Sequence, residues 1–138
     1  MRILIVDDQE IRHKKIQSLV MDYFDKPVSI WCAYTVETAI KFLKQTDFDI
    51  IFLDHDLGPD IYQDSNELDT GYQIAKFIIA AGINTKEIIV HSMNYPGAMN
   101  ILDILPQAKY IPFINLESAM LSLNTSSPAE KNKTCKNS

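Results

Sequence analysis

Five short apolar runs divide the chain: RILIV at 2 to 6, VSIWCAY at 28 to 34, DIIFLD at 49 to 54, EIIVH at 87 to 91 and AKYIPF at 108 to 113. They are nearly continuous and hardly alternate, the pattern of strands covered on both faces. The segments between them have helical spacing. Residues 10 to 25 carry Ile11, Ile16, Leu19, Val20, Tyr23 and Phe24 in steps that mark one helix face. Thr35 is a candidate N-cap for VETAIKFLKQ, with Val36, Ala39, Ile40 and Leu43 on one side and Glu37 four residues before Lys41. Gly71 to Ala81 predicts a third helix stopped by Gly82, about Ala98 to Leu105 a fourth, and Leu116 to Leu123 a fifth. Strands alternating with helices in this way predict one α/β domain, an open parallel sheet with helices on both faces.

Right-handed crossovers place the C-terminal ends of all strands of such a sheet on one edge, where sites form. Asp7 and Asp8 follow the first strand, Asp54, His55 and Asp56 the third, and His91 and Ser92 the fourth. A core would reject these side chains; at one edge they share a crevice.

Composition narrows the field. The chain has 138 residues, 46% hydrophobic and 22% charged, a soluble globular balance for a single domain. Its apolar runs are too short to span a bilayer, so no membrane role is expected. The N-terminus, with Asp7 and Asp8 soon after Ile3 to Val6, fails the signal-peptide pattern, and a cytoplasmic location is expected. Cys32 in an apolar run and Cys135 in a polar stretch suit unpaired thiols. The net charge is -5; from residue 124 onward three lysines against one glutamate contribute +2, so residues 1–123 carry -7. That leaves no basic groove for nucleic acid. Residues 58–70, GPDIYQDSNELDT, read as an enlarged acidic loop over the crevice, and 124–138 as a disordered polar tail.

Asp7, Asp8 and Asp54 concentrate more negative charge than one site tolerates without a cation. Short carboxylates with water suit Mg²⁺ or Mn²⁺. In this arrangement (VDD after strand one, LD at the end of strand three, a Gly opening helix three, Ser92 after strand four) residues 1–123 resemble a response-regulator receiver domain. The resemblance implies a doubly wound five-stranded parallel sheet in the order 2-1-3-4-5, a receiver or flavodoxin-like three-layer sandwich. It implies Asp7, Asp8 and Asp54 as metal ligands, Asp56 lending its backbone carbonyl, Asp54 as phosphoacceptor and Ser92 at the switch-hydroxyl position.

The chain departs from that pattern in informative ways. Where receivers carry a Lys before the Pro that follows strand five, this chain has Ile111 before Pro112, with Lys109 two residues earlier. Gly71 follows Asp54 by 17 residues, much farther than in ordinary receivers. His55 and His91 add two imidazoles, a pairing suited to acid and base work near neutral pH. In HSMNYPGAMN, Ser92, Asn94 and the Gly97 end of helix four are candidate phosphate contacts, joined by Arg12 of helix one if it bends back from a solvated face. Tyr95 is a candidate for stacking on a base.

LDHDLG with HSMNYPGAMN resembles the divergent branch called cyclic-phosphate processing receiver domains. The resemblance implies a Mg²⁺-dependent phosphoesterase acting on cyclic or terminal phosphates of a small molecule, nucleotide or RNA end, with Asp54, His55 and His91 as its catalytic residues. Two alternatives stay open: a receiver phosphorylated on Asp54 by a histidine kinase, and a pseudo-receiver that acts only by binding protein.

Overall fold

The computed structural model describes residues 1–58 and 63–124. Its strands are β1 (Arg2–Val6), β2 (Ser29–Ala33), β3 (Ile50–Leu53), β4 (Glu87–Val90) and β5 (Lys109–Tyr110). Its helices are α1 (Glu10–Tyr23), α2 (Val36–Gln45), α3 (Gly71–Ala80), α4 (Tyr95–Ile104) and α5 (Leu116–Asn124), the last preceded by a 3₁₀ turn at Phe113–Asn115. The strands form one parallel sheet in the order β2-β1-β3-β4-β5. Residues 59–62 of the expected loop and residues 125–138 of the expected tail lie outside the described residues; Asn124 itself closes α5.

Side chains alternate across each strand, and here both faces are covered. Leu4, Val6, Ile51, Leu53, Ile88 and Val90 pack toward Ala39 and Leu43 of α2, Ile74 and Ile78 of α3, and Ile101 of α4. Ile3, Ile5, Ile50, Phe52 and Ile89 pack on the other side with Ile16, Leu19 and Val20 of α1 and Leu116 and Met120 of α5. Each fully buried Ile or Leu contributes roughly 1.5–3 kcal/mol of hydrophobic stabilisation, so the central strands need no polar alternation. Three layers result, the sandwich expected from the sequence.

Local chemistry sets the element ends. Thr35 caps α2, its side chain accepting the Thr38 N–H at 3.2 Å. Asn94 caps α4, whose first residue Tyr95 lies three before the expected start, and Pro96 sits in the first turn, where its missing N–H costs nothing. Strand five is shorter than the sequence implies. Ile111 and Phe113 still donate to the carbonyls of Val90 and His91, each at 2.9 Å, but Pro112 between them has no N–H and the chain turns into the 3₁₀ segment. Ile11, counted on the apolar face of α1, is 74% exposed; fully buried His13 takes that face together with Ile16 and Val20. No described helix is long and apolar enough to cross a membrane.

Candidate functional site

Strand register levels the polar residues at the C-terminal edge. Val6 pairs with Leu53, and Leu53 with Val90. The next residue on each strand continues the ladder: Asp54 N–H donates to Val6 O at 3.0 Å and His91 N–H to Leu53 O at 3.1 Å. Asp7, Asp54 and His91 therefore stand side by side, each essentially buried. One ligand-capable atom from each lies within 4.8 Å of the other two. The neighbour of Asp54 across β4 is thus His91, and Ser92 falls one place farther along, its Oγ accepting the Asn94 N–H at 3.0 Å.

Asp7 organises this cluster. Its Oδ1 accepts the Gln9 N–H at 2.9 Å and its Oδ2 lies 2.8 Å from His91 Nε2. Its backbone carbonyl lies 2.7 Å from His13 Nε2. A carbonyl can only accept, so that imidazole nitrogen carries the proton. Burial works to raise the Asp7 carboxyl, but the His91 hydrogen bond and charge, the Gln9 N–H and Arg12 together hold it below the usual range. Asp54 is the opposite case. Its Oδ1 accepts the His55 N–H at 2.9 Å, while its buried Oδ2 has no hydrogen-bond partner among the described residues. Burial, reinforced by the charge of Asp7, pushes this carboxyl up to about 7 against the pull of His91, Arg12 and the His55 N–H. Asp8 stands outside the three-residue cluster. Burial and then the charge of Asp7 raise its carboxyl, and it also feels Arg12 and Asp56.

Arg12 bends toward the site. Its guanidinium stands 3.7 Å from Asp7 Oδ2 and 3.6 Å from Asp54 Oδ2, and lies over the Phe113 ring at 5.5 Å from the centroid. These are ion-pair separations, longer than hydrogen bonds. Lys109 lies at the other edge of the sheet. Its ammonium pairs with Glu87 at the start of β4, 3.2 Å away, so Arg12 is the cation beside Asp54 in place of a strand-five Lys.

His55 belongs to a second network. Its ring is fully buried, with Nδ1 2.6 Å from Asp56 Oδ1 and Nε2 2.8 Å from Ser65 Oγ. A carboxylate accepts, so Nδ1 donates to Asp56, and Ser65 Oγ, within hydrogen-bond reach of Nε2, also accepts from Asn100 Nδ2 at 2.8 Å. Asp56 Oδ1 also takes the Gln63 N–H and Asn94 Nδ2, both at 3.1 Å. Asn94 Oδ1 and Gly97 N–H bond each other at 3.0 Å in the helix cap. A Cβ on Gly97 would stand 2.6 Å from the His55 ring, and one on Gly71 only 2.0 Å from the Asp54 carbonyl oxygen. Both glycines are there because nothing larger fits.

Of the residues singled out in the sequence, the structure gathers Asp7, Asp54, His91 and Arg12, with Asp8 at the rim. It sets His55, Asp56, Asn94 and Gly97 together in the network that ties the 63–70 segment to α4. His13 and Phe113 escaped the sequence reading, as did Gln63, Ser65 and Asn100 around His55. His13 was legible as buried because it falls three and seven residues before Ile16 and Val20. Phe113, the platform under Arg12, carries no local signal.

The donor set fits a divalent cation. The buried Asp54 Oδ2 accepts no hydrogen bond among the described residues and faces only the Arg12 guanidinium at ion-pair distance, and Asp7 and His91 offer further ligand atoms beside it.

Comparison with known proteins shows the family and the fold. The family model described as "Cyclic-phosphate processing Receiver domain" matches residues 2–107. No curated protein matches the chain. Among solved structures, the response regulatory domain of protein mrkE from Klebsiella pneumoniae is similar, at 18% identity and a TM-score of 0.67 over 96% of this chain and 99% of that one. The N-terminal domain of a response regulator/sensory box/GGDEF 3-domain protein from Carboxydothermus hydrogenoformans is similar at 20% identity and a TM-score of 0.63, covering 90% of this chain and 93% of that one. At such identities these two show the fold alone.

Proposed function

The chain belongs to the family of cyclic-phosphate processing receiver domains, and from that premise we propose that it is a cation-assisted phosphoesterase acting on cyclic or terminal phosphates of nucleotides or RNA ends. The observation that carries this reading is the juxtaposition of Asp7, Asp54 and His91 donor atoms within 4.8 Å with the Arg12 guanidinium 3.6 Å from Asp54. A switch needs a carboxylate and a cation; a buried imidazole held against Asp7 serves chemistry on a phosphate.

Each residue then has a role. Asp7, Asp54 and His91 would hold the cation, Mg²⁺ or Mn²⁺ by analogy with the acidic site of receivers. When bound it supplies charge for the phosphate oxygens and a lowered pKa for its water. Arg12, whose side chain is 24% exposed, swings from the carboxylates to a phosphate oxygen at the mouth. Phe113 keeps its guanidinium from wandering. His55 and His13 are positioning residues: the first orders the 63–70 segment, the second the Asp7 backbone. The -7 charge of residues 1–123 fits a substrate recognised at its phosphate end, since a long acidic strand would be repelled.

Phosphorus NMR of 2′,3′-cyclic AMP with protein and cation tests the reading. The cyclic resonance should convert to a monoester, and His91→Ala or Asp54→Asn should stop the conversion; conversion that survives both substitutions refutes it. The rival reading, phosphorylation of Asp54 by a histidine kinase, draws on the same unpartnered Oδ2. It requires that acetyl phosphate label wild type and spare Asp54→Asn.

A further inference from the structure

Resting on the reading that this centre takes a divalent cation, we propose that it is a three-ligand site for a borderline transition ion of the Zn²⁺ class, with His91 as the third ligand, in preference to Mg²⁺.

Donor chemistry points this way. Mg²⁺ takes oxygen ligands in an octahedron and sheds water reluctantly, so its protein sites leave room for several waters. Here one of three ligands is an imidazole nitrogen, which favours Zn²⁺ and its neighbours. Burial points the same way: Asp7 and His91 are 0% exposed and Asp54 1%. An ion there keeps few waters, as expected for four-coordinate Zn²⁺ with three protein ligands and one open position.

Geometry allows it. Three atoms no more than 4.8 Å apart have a common point no more than about 2.8 Å from each, so a sub-ångström closure reaches metal–ligand distances of about 2.0–2.2 Å. Outer contacts already fix the two carboxylate ligands. Gln9 N–H holds Asp7 Oδ1, His55 N–H holds Asp54 Oδ1, and His13 anchors the Asp7 carbonyl. Neither obstacle is covalent. The proton that His91 Nε2 shares with Asp7 passes to Nδ1, so that the ring stays neutral and Nε2 offers its lone pair to the ion. Arg12 stops at 3.6 Å from Asp54 Oδ2 without a hydrogen bond, so it leaves that oxygen's lone pairs unused.

The test is a Co²⁺ titration of the full chain after chelator treatment, read by visible absorption and challenged with Zn²⁺ and Mg²⁺. The expected result is an intense low-coordination spectrum saturating at one ion per chain. Zn²⁺ should displace Co²⁺ stoichiometrically, whereas millimolar Mg²⁺ should not. The spectrum should lack the near-ultraviolet band that a cysteine thiolate would add. His91→Gln, which offers oxygen in place of the ring nitrogen, should weaken Co²⁺ binding by at least the roughly tenfold that loss of an outer partner brings, with Trp31 fluorescence confirming the fold. Displacement of Co²⁺ by Mg²⁺ at comparable concentration, or unchanged Co²⁺ affinity in His91→Gln, overturns the inference and leaves the phosphoesterase reading standing. Failure of every ion to bind overturns both.

Discussion

Asp54→Asn isolates the most strongly raised carboxyl among the described residues. Asn keeps the shape and the Oδ1 acceptor for the His55 N–H and replaces the ionisable Oδ2 by a neutral amide NH2. Folding raises the Asp54 carboxyl from 3.8 to about 7, chiefly by burial. A group whose folded pKa exceeds its unfolded one favours folding when protonated, and that advantage is lost as pH rises between the two values. Three pKa units correspond to about 4 kcal/mol. Between pH 5 and pH 8.5, Asp54→Asn should therefore gain about 3 kcal/mol relative to wild type, most of it before pH 7. Asp7 runs the other way: its folded carboxyl is lowered, so its contribution is present at neutral pH and lost on acidification. Both proteins contain it, and because it is lowered it stays ionised across this pH window in each. The measurement is urea unfolding in chelator at several pH values, followed by Trp31, which packs edge-on against Phe48 with ring centroids 5.3 Å apart. Stability curves that stay parallel within about 0.5 kcal/mol would refute the assignment of a desolvated, uncompensated carboxylate to this position.

Gly71→Ala should lower stability by about 2 kcal/mol or more, because the new Cβ meets the Asp54 carbonyl at 2.0 Å and backbone cannot step aside; a thermal melt reads it, and an unchanged midpoint would contradict the packing. His55→Ala opens a cavity and takes one buried partner from Asp56 and one from Ser65, so a loss of about 3 kcal/mol is expected, with hydrogen exchange fastest at residues 63–70. Protection equal to wild type there would assign His55 elsewhere. Arg12→Ala should raise KM for a phosphate substrate about tenfold or more with a smaller change in kcat. Lys109→Ala should leave kinetics unchanged and cost at most about 1 kcal/mol, since its pair with Glu87 lies at the opposite edge with 53% of the lysine side chain exposed.

Much of the fold was legible because burial leaves a local record. A strand covered on both faces must be apolar along its length, so RILIV and IIFL announced themselves, and the turn residues after them marked the functional edge. Thr35 was readable as a cap for the same reason: its hydroxyl meets Thr38 N–H within one turn. Where local rules competed, boundaries slipped. Pro112 cut β5 short, and Asn94 began α4 earlier than the apolar spacing suggested. Asp7 and Asp54 could be assigned to one crevice because both end a strand, whereas the division of labour between the two histidines could not. Both follow apolar runs and look alike in the sequence.

Alternation of apolar runs with amphipathic segments determined a three-layer α/β domain, and the position of Asp7, Asp54 and His91 just past strand ends determined that they share an edge. Those facts rest on side-chain burial and chain direction, which neighbouring residues encode. Tertiary structure decided the rest. Register across β3 and β4 set His91, and not Ser92, beside Asp54. The return of α1 brought Arg12 to 3.6 Å from that carboxylate while Lys109 was drawn to Glu87. The 63–70 segment folded back to enclose His55 with Ser65 and Asp56. Each of these joins residues far apart along the chain, and the energy that selects the partner arises from distances and solvent exclusion that exist only once the layers have packed.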